Sequence, residues 1–283
     1  MTLDQALQQA VTAGPGLARL ERLDAGMLLL HALGRDPHER AWLLAHGTDA
    51  LPAPALALFE SLCAQRRDAM PMAYLLGQTE FYGLTLAVTP AVLDPRDDTE
   101  TLVDWALSLM PADAPQEVVD LGTGSGAIAL ALQHARPAAR VWAVDRSPEA
   151  LAVARRNATA LQLTAIRWLE GNWLSSMPAN QRFDLIVSNP PYIAAHDPHM
   201  AGLRHEPRQA LVSGEDGLDD IRTLVDQAPG HLKPGGWLLL EHGHDQSTAV
   251  QHLLRQAGFD PVQSRPDLAG IPRCTGGLWP GVK

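Results

Sequence analysis

The sequence predicts an α/β protein, with a mostly parallel sheet covered by helices on both faces and a small helical domain before it. In the second part of the chain, short apolar runs alternate with helical patterns, which is typical of a parallel sheet. In the first part, apolar residues recur at a spacing of three to four, and no strand-like alternation interrupts them. The chain has 283 residues, enough for two domains that each bury a core.

Three segments follow from these patterns. We place the helical domain at residues 1–70 and the α/β domain at residues 98–283. Between them, residues 71–97 contain the run FYGLTLAVTPAVL, in which aromatic and β-branched residues surround a glycine. This composition predicts a β-hairpin that connects the two domains.

The helical domain is expected to contain four short helices, two of which have recognisable start signals. Thr2 followed by Gln5 is the pattern of a capping box, in which each side chain bonds the backbone of the other residue. A second start pattern lies at residues 36–39. Asp36 has a capping oxygen, Pro37 has a fixed φ, and the Glu39 side chain can reach back to the backbone of the capping residue. We therefore predict helix starts at both positions.

The α/β domain contains five strand candidates, each a short apolar run that ends at a polar residue or a glycine. They are EVVDLG, ARVWAVD, AIRWLEG, FDLIVSN and WLLLEHG. In a doubly wound sheet the ligand binds outside the carboxyl ends of the strands. Asp120, Asp145, Asn172 and Asn189 stand at those ends, so we expect them to converge on one site.

Composition narrows the class of protein. The formal net charge is −10, with 22 basic and 32 acidic residues, which disfavours a stable nucleic-acid partner bound mainly through phosphates. No apolar run is long enough to span a membrane, and the first residues, MTLDQALQQA, do not resemble a signal peptide. We therefore expect a cytoplasmic protein without a membrane partner. A monomer is the working expectation, although the sequence leaves the oligomeric state open.

The turn after the first strand is rich in glycine, which lets backbone amides approach a ligand at a helix N-terminus. It consists of Gly122, Thr123, Gly124, Ser125 and Gly126. Two cofactors remain open for this turn: a nicotinamide dinucleotide or S-adenosylmethionine (SAM), either with Asp145 on the ribose hydroxyls. The carboxylate of Asp120 favours SAM, because it would repel a pyrophosphate.

The strongest feature is the segment Asn189, Pro190, Pro191 and Tyr192, which directly follows a buried strand. The two prolines remove amide donors and fix φ, so the backbone becomes a rigid row of acceptors. A planar NH₂ group could donate to the Asn189 side-chain oxygen and the Pro190 carbonyl, with the Tyr192 ring stacked on it. This arrangement suits methyl transfer to an amide or aromatic amine nitrogen and does nothing for hydride transfer. It therefore favours SAM.

Taken together, the motifs resemble those of the glutamine methyltransferases of peptide-chain release factors, a family of class I SAM-dependent methyltransferases. The resemblance covers nearly the whole chain and depends on a combination of segments, because the NPPY tetrapeptide alone also occurs in nucleic-acid methyltransferases. The segments are MPMAYLLGQTEFYG, VLDPRDDTETLVDWAL, DLGTGSGAIALAL, the GNW of residues 171–173, SNPPYI, HEPRQAL and GEDGLDDIR.

The resemblance implies a Rossmann-like methyltransferase fold, SAM as cofactor and a release factor as protein substrate. The methyl acceptor would be the glutamine of the Gly-Gly-Gln motif, and the helical domain would help to recognise the release factor. Residues 122–126 would bind SAM, with Asp145 on the ribose, Trp173 near the adenine and Asn189 at the border of the cofactor. The target amide would be bound by residues 189–192, among which Asn189, Pro190 and Tyr192 would be catalytic.

One further family element is the PRxxTE segment that begins at Pro95, which is expected to close over the cofactor. Three residues depart from the usual family pattern. Asp97 stands in place of a proline, Asn172 in place of an aspartate that receives the adenine amine, and His242 in place of an isoleucine. Asn172 can still accept a hydrogen bond through its side-chain oxygen.

The histidines near Glu241 and those that follow the NPPY segment suggest metal ligands at first sight. No thiolate or third spaced ligand completes a recognisable set, so we expect no metal. Cys63 and Cys274 are far apart and are expected to be free thiols.

Three rival functions stay open at this stage. The first is a glutamine methyltransferase acting on a ribosomal protein, and the second is an adenine-N6 methyltransferase acting on nucleic acid. The third is a non-catalytic module that binds SAM or a nicotinamide dinucleotide. The negative net charge argues against the second, and the NPPY segment beside the glycine-rich turn argues against the third.

Overall fold

The computed structural model describes residues 1–12 and 19–281. They belong to two compact units, Met1–Gln78 and Thr79–Lys283. None of the helices in the described ranges combines the length and the apolar character that crossing a membrane requires.

The first unit is helical. Its helices are α1 (Leu3–Val11), α2 (Arg22–Ala32), α3 (Arg40–Ala45), α4 (Ala53–Arg67) and α5 (Met72–Leu76). Leu3, Leu28, Leu29 and Phe59 are among the side chains buried in its core, because apolar residues face inward from α1, α2 and α4. The predicted helical N-terminal domain is confirmed.

The predicted start of α1 is confirmed and the predicted start at Asp36 is wrong. The Gln5 amide donates to Thr2 Oγ1 at 3.2 Å, and the Thr2 amide donates to Gln5 Oε1 at 2.9 Å. Asp36 instead accepts the amide of His38 at 2.9 Å in a local turn, and α3 begins only at Arg40. An aspartate followed by a proline serves a turn as well as a helix cap, which is why the pattern misled.

The second unit contains a short hairpin and a large sheet, with helices between the strands. In chain order the elements are β1 (Gln78–Phe81), β2 (Leu84–Ala87), α6 (Glu100–Leu109), β3 (Glu117–Leu121), α7 (Ala127–Ala135), β4 (Arg140–Asp145), α8 (Pro148–Ala160), β5 (Arg167–Glu170), β6 (Phe183–Ser188), α9 (Asp219–Gln227), β7 (Leu232–Glu241), α10 (Ser247–Gln256), β8 (Val262–Pro266) and β9 (Pro272–Leu278). The hairpin and all five predicted strands are therefore present.

The large sheet has seven strands in the order β5-β4-β3-β6-β7-β9-β8. The first five of these are parallel neighbours, and β9 runs antiparallel to both β7 and β8. Adjacent residues of one strand face opposite sides: Val118 packs in the core beneath α6 and α7, and Val119 in the core beneath α9 and α10. Both faces are covered by helices, as predicted.

The antiparallel pair β8–β9 was not predicted from the sequence. Residues of β9 such as Gly276 and Gly277 give no apolar alternation, yet they are fully enclosed. A Cβ atom on Gly276 would overlap Leu239 Cδ2, and one on Gly277 would lie 2.7 Å from Phe259 Cβ. The side chains of Leu239 and Phe259 fill the space beside these glycines, so β9 is buried without an apolar pattern of its own.

The strand order reverses between β3 and β6, and crevices at such switch points bind ligands in open α/β sheets. Leu121 of β3 pairs in register with Ser188 of β6. The Ser188 hydroxyl also donates to the Leu121 carbonyl at 2.6 Å. The residues that follow, Gly122 and Asn189, therefore leave two adjacent strands at the same edge.

Candidate active site

A cavity of about 900 Å³, which includes the solvent-open space at its mouth, lies at this edge of the sheet. Most of the predicted site residues line it: residues 122–125, Asp145, Trp173, Asn189 and Pro191. Its lining combines apolar side chains with a few polar groups, as is typical of small-molecule and cofactor sites. The two motifs singled out in the sequence thus border the same cavity.

Three predicted site residues are not part of the lining. Gly126 instead caps the start of α7 in a left-handed conformation, with φ of 86°. Pro190 is buried, and Tyr192, the last residue of the NPPY segment, is half-buried, with its carbonyl accepting Gln246 Nε2 at 3.0 Å. Their roles in binding and catalysis stay predictions.

The glycine-rich turn is shaped by close backbone approach. Gly122 has φ of 73°, and its amide and that of Thr123 both donate to the Val144 carbonyl at 2.9 Å. A Cβ atom on Gly122 would lie 3.1 Å from the ring of Trp173. Only glycine combines this backbone conformation with room for the indole.

Trp173 follows β5 and packs beside the turn. It is buried and has φ of 54°, and its indole nitrogen donates to Asp220 Oδ1 at 3.1 Å. The hydrogen bond to α9 fixes the ring, so the indole forms a rigid wall of the cavity. A flat apolar wall of this kind suits the planar base of a nucleoside.

Asp120 supports the turn from beneath and does not line the cavity. It is fully buried, and it accepts the Thr123 hydroxyl at 2.6 Å and the Ala129 amide at 3.2 Å. Burial raises the pKa of Asp120 to about 7, although these hydrogen bonds oppose the shift. The expectation that Asp120 converges on the ligand is therefore wrong, because its carboxyl group is turned into the protein.

Asp145 lines the cavity and also ties the turn to β4. One carboxylate oxygen accepts the Gly124 amide at 2.8 Å, and the other accepts the Ser147 amide at 2.9 Å. Burial raises the pKa of this carboxyl group, against the effect of both amides. Each carboxylate oxygen has a second lone pair, so ribose hydroxyls could still donate to it.

Sequence reasoning missed Asn157, which is buried on α8. Its Nδ2 donates to the carbonyls of Ser125 at 2.9 Å and Ala87 at 3.0 Å, and its Oδ1 accepts the Ala87 amide at 2.8 Å. The residue joins β2 to the glycine-rich turn. A polar residue on an otherwise apolar helix face was the signal that could have indicated it.

At the opposite side of the cavity, Asn189 contacts Thr99. Asn189 Nδ2 donates to Thr99 Oγ1 at 3.1 Å. Both residues line the cavity, and Thr99 belongs to the PRxxTE segment. Since Nδ2 is turned to Thr99, the side-chain oxygen of Asn189 points away from Thr99.

An ion pair links the PRxxTE segment to the loop that contains HEPR. Arg96 Nη2 lies 2.6 and 2.7 Å from the two carboxylate oxygens of Glu206, which is nearly buried. In the same loop, Gln209 uses its carbonyl to accept Arg146 Nη2 at 2.7 Å. The ion pair holds together two segments whose residues Pro95 and Pro207 line the cavity.

The structure shows where the three departures from the family pattern lie, and it explains how Asp97 and His242 are accommodated. Asp97 is exposed at the first position of a short 3-10 turn, where both aspartate and proline are favourable. Asn172 is at the exposed rim and lines the cavity. His242 is fully buried, with Nε2 2.7 Å from Thr275 Oγ1 and Nδ1 2.9 Å from the Gly243 carbonyl, so its polar atoms are satisfied.

Across residues 1–12 and 19–281, no group of three or more His, Cys, Asp or Glu side chains is arranged to hold a metal ion. The two cysteines are buried and unpaired with each other.

The strand order and the cavity at its switch point define the class I SAM-dependent methyltransferase fold. A methyltransferase from Pyrococcus furiosus, known from its crystal structure, has the same fold, with a TM-score of 0.55 and 17% identity over 77% of this chain and 100% of that one. Residues 99–214 match the methyltransferase small domain. Residues 5–77 match the PrmC N-terminal domain.

Two relatives share about half of all residues with this chain. The release factor glutamine methyltransferase of Xylella fastidiosa (strain Temecula1) is 51% identical over 93% of this chain and 95% of its own. The enzyme of the same name from Bordetella pertussis (strain Tohama I) is 51% identical over 96% of this chain and 98% of its own. The chain belongs to the release factor glutamine methyltransferase family and is a SAM-dependent methyltransferase.

Proposed function

We propose that this protein methylates the side-chain amide nitrogen of a glutamine in peptide-chain release factors, at the Gly-Gly-Gln motif. The observation that carries the proposal is the position of Asn189 at the cavity, with its amide nitrogen tied to Thr99. The oxygen is then directed elsewhere and can accept a hydrogen from a substrate amide. Family membership over most of the chain supports the same substrate.

The proposed roles divide the cavity into two halves. Residues 122–125 and Asp145 bind SAM, and Trp173 contacts its adenine. When bound, SAM supplies a methyl group on a positively charged sulfonium. The tight turn and the fixed indole would hold the cofactor in one position beside the other half of the cavity.

In the other half, the glutamine amide is held by acceptors alone. The Asn189 oxygen accepts one of its hydrogens at the cavity wall. Pro190 and Tyr192 lie next to the lining, and we assign the second hydrogen to the Pro190 carbonyl and stacking on the amide plane to the Tyr192 ring. Accepting both hydrogens fixes the plane of the amide and raises the electron density on its nitrogen, which favours in-line attack. After transfer the surplus proton leaves to water.

The proposed substrate also assigns a role to each segment of the chain. Residues 1–70 are proposed to recognise the body of the release factor, residues 71–97 to connect the domains and residues 98–283 to carry the chemistry. A protein that acts on release factors is expected in the cytoplasm.

The proposal is tested by mass spectrometry of a purified, unmethylated release factor after incubation with this protein and SAM. We expect one added methyl group, located by peptide sequencing on the Gly-Gly-Gln glutamine. A release factor with that glutamine replaced by alanine is the control and should gain none. If SAM binds but the native release factor stays unmodified, the substrate assignment is wrong, and ribosomal proteins and nucleic acids become the next substrates to test.

Replacing Asp145 with alanine is expected to weaken SAM binding by about 10- to 100-fold, because hydrogen bonds to a charged group are worth about 1.5–3 kcal/mol. The variant loses the acceptor for the ribose and the acceptor of the Gly124 amide. Calorimetric titration with SAM measures the change in Kd. Asp184→Ala is the matched control, since Asp184 also accepts a backbone amide, that of Glu117 at 2.8 Å, but at the start of β6. Equal Kd values in all three proteins would remove Asp145 from the site.

A further inference from the structure

A buried carboxyl group lies behind the acceptor half of the cavity, and the chemistry described above does not use it. Glu241 is the last residue of β7 and is only 1% exposed. Within the described part of the chain, its Oε2 atom has no hydrogen-bond partner. Such a group costs stability, so its presence at this position points to a role in function.

The neighbours of Glu241 are the two side chains that set the acceptor geometry. Thr99 and Asn189 both interact with its carboxyl group as hydrogen-bonding side chains. Thr99 Oγ1 already accepts a hydrogen from Asn189 Nδ2 at 3.1 Å, so the Thr99 proton is free to point to a different acceptor. The ionised carboxyl group beside it accepts hydrogens and has none to donate.

These bonds have a single consistent direction when Glu241 is ionised. The Thr99 hydroxyl donates toward the carboxylate, and its lone pair accepts the Asn189 amide hydrogen. A flipped Asn189 would place its side-chain oxygen against the lone pair of Thr99 and near the carboxylate, with no hydrogen between them. That arrangement leaves buried acceptors facing each other, which is unfavourable.

We propose that Glu241 is a positioning residue, which holds the Asn189 amide in the orientation that methyl transfer requires. It acts through Thr99 and through its own hydrogen bond with Asn189, and it does not touch the substrate. The inference rests on the proposed function, because that function assigns the Asn189 oxygen to the glutamine amide.

The charge state of Glu241 controls this arrangement. Burial raises its pKa to about 7, against the opposing effects of the neighbouring hydroxyl and of the Arg273 charge, while Asp98 adds to the rise. Burial also raises the pKa of the Tyr192 phenol and of the Cys274 thiol, so both stay neutral at pH 7. Below about pH 7 Glu241 is protonated and can donate to Thr99, so the orientation of Asn189 is no longer fixed.

The first test is Glu241→Gln, which keeps the shape and removes the charge. We expect kcat to fall at least tenfold at pH 8, with an unchanged Kd for SAM, because Glu241 does not line the cavity. Wild-type kcat should decline below about pH 7, and this decline should be absent in the variant. Asp120 has a pKa in the same range, but it supports the glycine-rich turn, so its protonation should appear in the Kd for SAM.

The matched control is His242→Ile, at the adjacent residue of the chain. The His242 side chain is directed to Thr275 and the Gly243 carbonyl, away from Asn189 and Thr99. The control should keep the wild-type kcat and its decline below pH 7. If the Glu241→Gln variant had the same kcat as the wild-type protein and its kcat still declined below pH 7, the proposal would be overturned.

A measurement of thermal stability distinguishes a role of Glu241 in positioning Asn189 from a role in stabilising the fold. The raised pKa means that the folded state holds the Glu241 proton more tightly than the unfolded chain, whose value is near 4.5. Stability from this group is therefore lost as pH rises from about 4.5 through 7. Glu241→Gln removes that loss, so its Tm at pH 8 should equal or exceed the wild-type value. A lower Tm at pH 8 would mean that the carboxyl group serves the fold, contrary to the proposal.

A second measurement needs no methyl acceptor. The chain contains four asparagines, Asn157, Asn172, Asn180 and Asn189, so ¹⁵N-asparagine labelling gives a simple spectrum of side-chain amides. The Asn189 signals are identified by their loss in Asn189→Ala. They should titrate near pH 7 in the wild-type protein and not in Glu241→Gln.

This measurement distinguishes the two ways of failing. If no release factor is methylated but the Asn189 signals titrate as expected, the proposed function fails and the coupling of Glu241 to Asn189 stands. If release factors are methylated and the signals do not titrate, the positioning role of Glu241 is wrong.

Discussion

Replacing Asn189 with alanine is expected to reduce methyl transfer at least about 100-fold, while the Kd for SAM changes by less than about threefold. The variant removes the side-chain acceptor that faces the glutamine amide and leaves the glycine-rich turn intact. Hydrogen bonds that orient the reacting group matter most in the transition state, so the loss should appear in kcat. Initial rates with a purified release factor, together with calorimetry for SAM, provide both values.

The matched control for this prediction is Asn180→Ala. Asn180 is exposed in the turn before β6, so its removal changes the composition in the same way without touching the cavity. It should retain the wild-type rate. An Asn189→Ala protein that turns over as fast as this control would exclude Asn189 from the chemistry.

Gly122→Ala is expected to weaken SAM binding at least about tenfold, which corresponds to about 1.4 kcal/mol. The added Cβ would lie 3.1 Å from the Trp173 ring, so the indole that walls the proposed adenine site must shift by a few tenths of an ångström. The positive φ of 73° adds backbone strain of about 1 kcal/mol to the folded state. Calorimetry for SAM and chemical denaturation measure the two effects separately.

Gly83→Ala is the control that isolates the contact with the ring. Gly83 is in the turn between β1 and β2 with φ of 72°, and a Cβ there would meet no atom within 4 Å. Both variants should lose a similar amount of unfolding free energy, but only Gly122→Ala should lose SAM affinity. A similar affinity loss in both would mean that backbone strain, and not the indole, is the cause.

The sequence predicted the parts of the site that consist of short continuous segments. The glycine-rich turn and the NPPY segment each directly follow an apolar strand, so position and composition together indicated them. Their convergence followed from a general rule for parallel sheets and is seen in the pairing of β3 with β6. Asp120 misled because a strand end can direct its side chain either to the ligand or into the core.

Other parts depend on contacts between distant residues, and no local pattern reports them. Asn157 joins the Ser125 carbonyl to Ala87, and Ala87 is 70 residues away from Asn157 in the chain. Glu241 appeared as one member of a histidine cluster, and only the structure places it beside Asn189. Large side chains of neighbouring elements cover the strand β9, whose own residues include two small glycines. Its sequence therefore does not resemble that of a buried strand.

The register between β3 and β6 determines how the site can change during evolution. Leu121 and Ser188 are 67 residues apart in the chain, yet they fix where the cofactor half ends and the acceptor half begins. The chain that joins the two strands includes turns at the amino edge of the sheet, away from the cavity. Insertions there would lengthen the protein without altering the distance between methyl donor and acceptor. By contrast, a slip of one residue between these strands would turn every side chain of β6 to the opposite face.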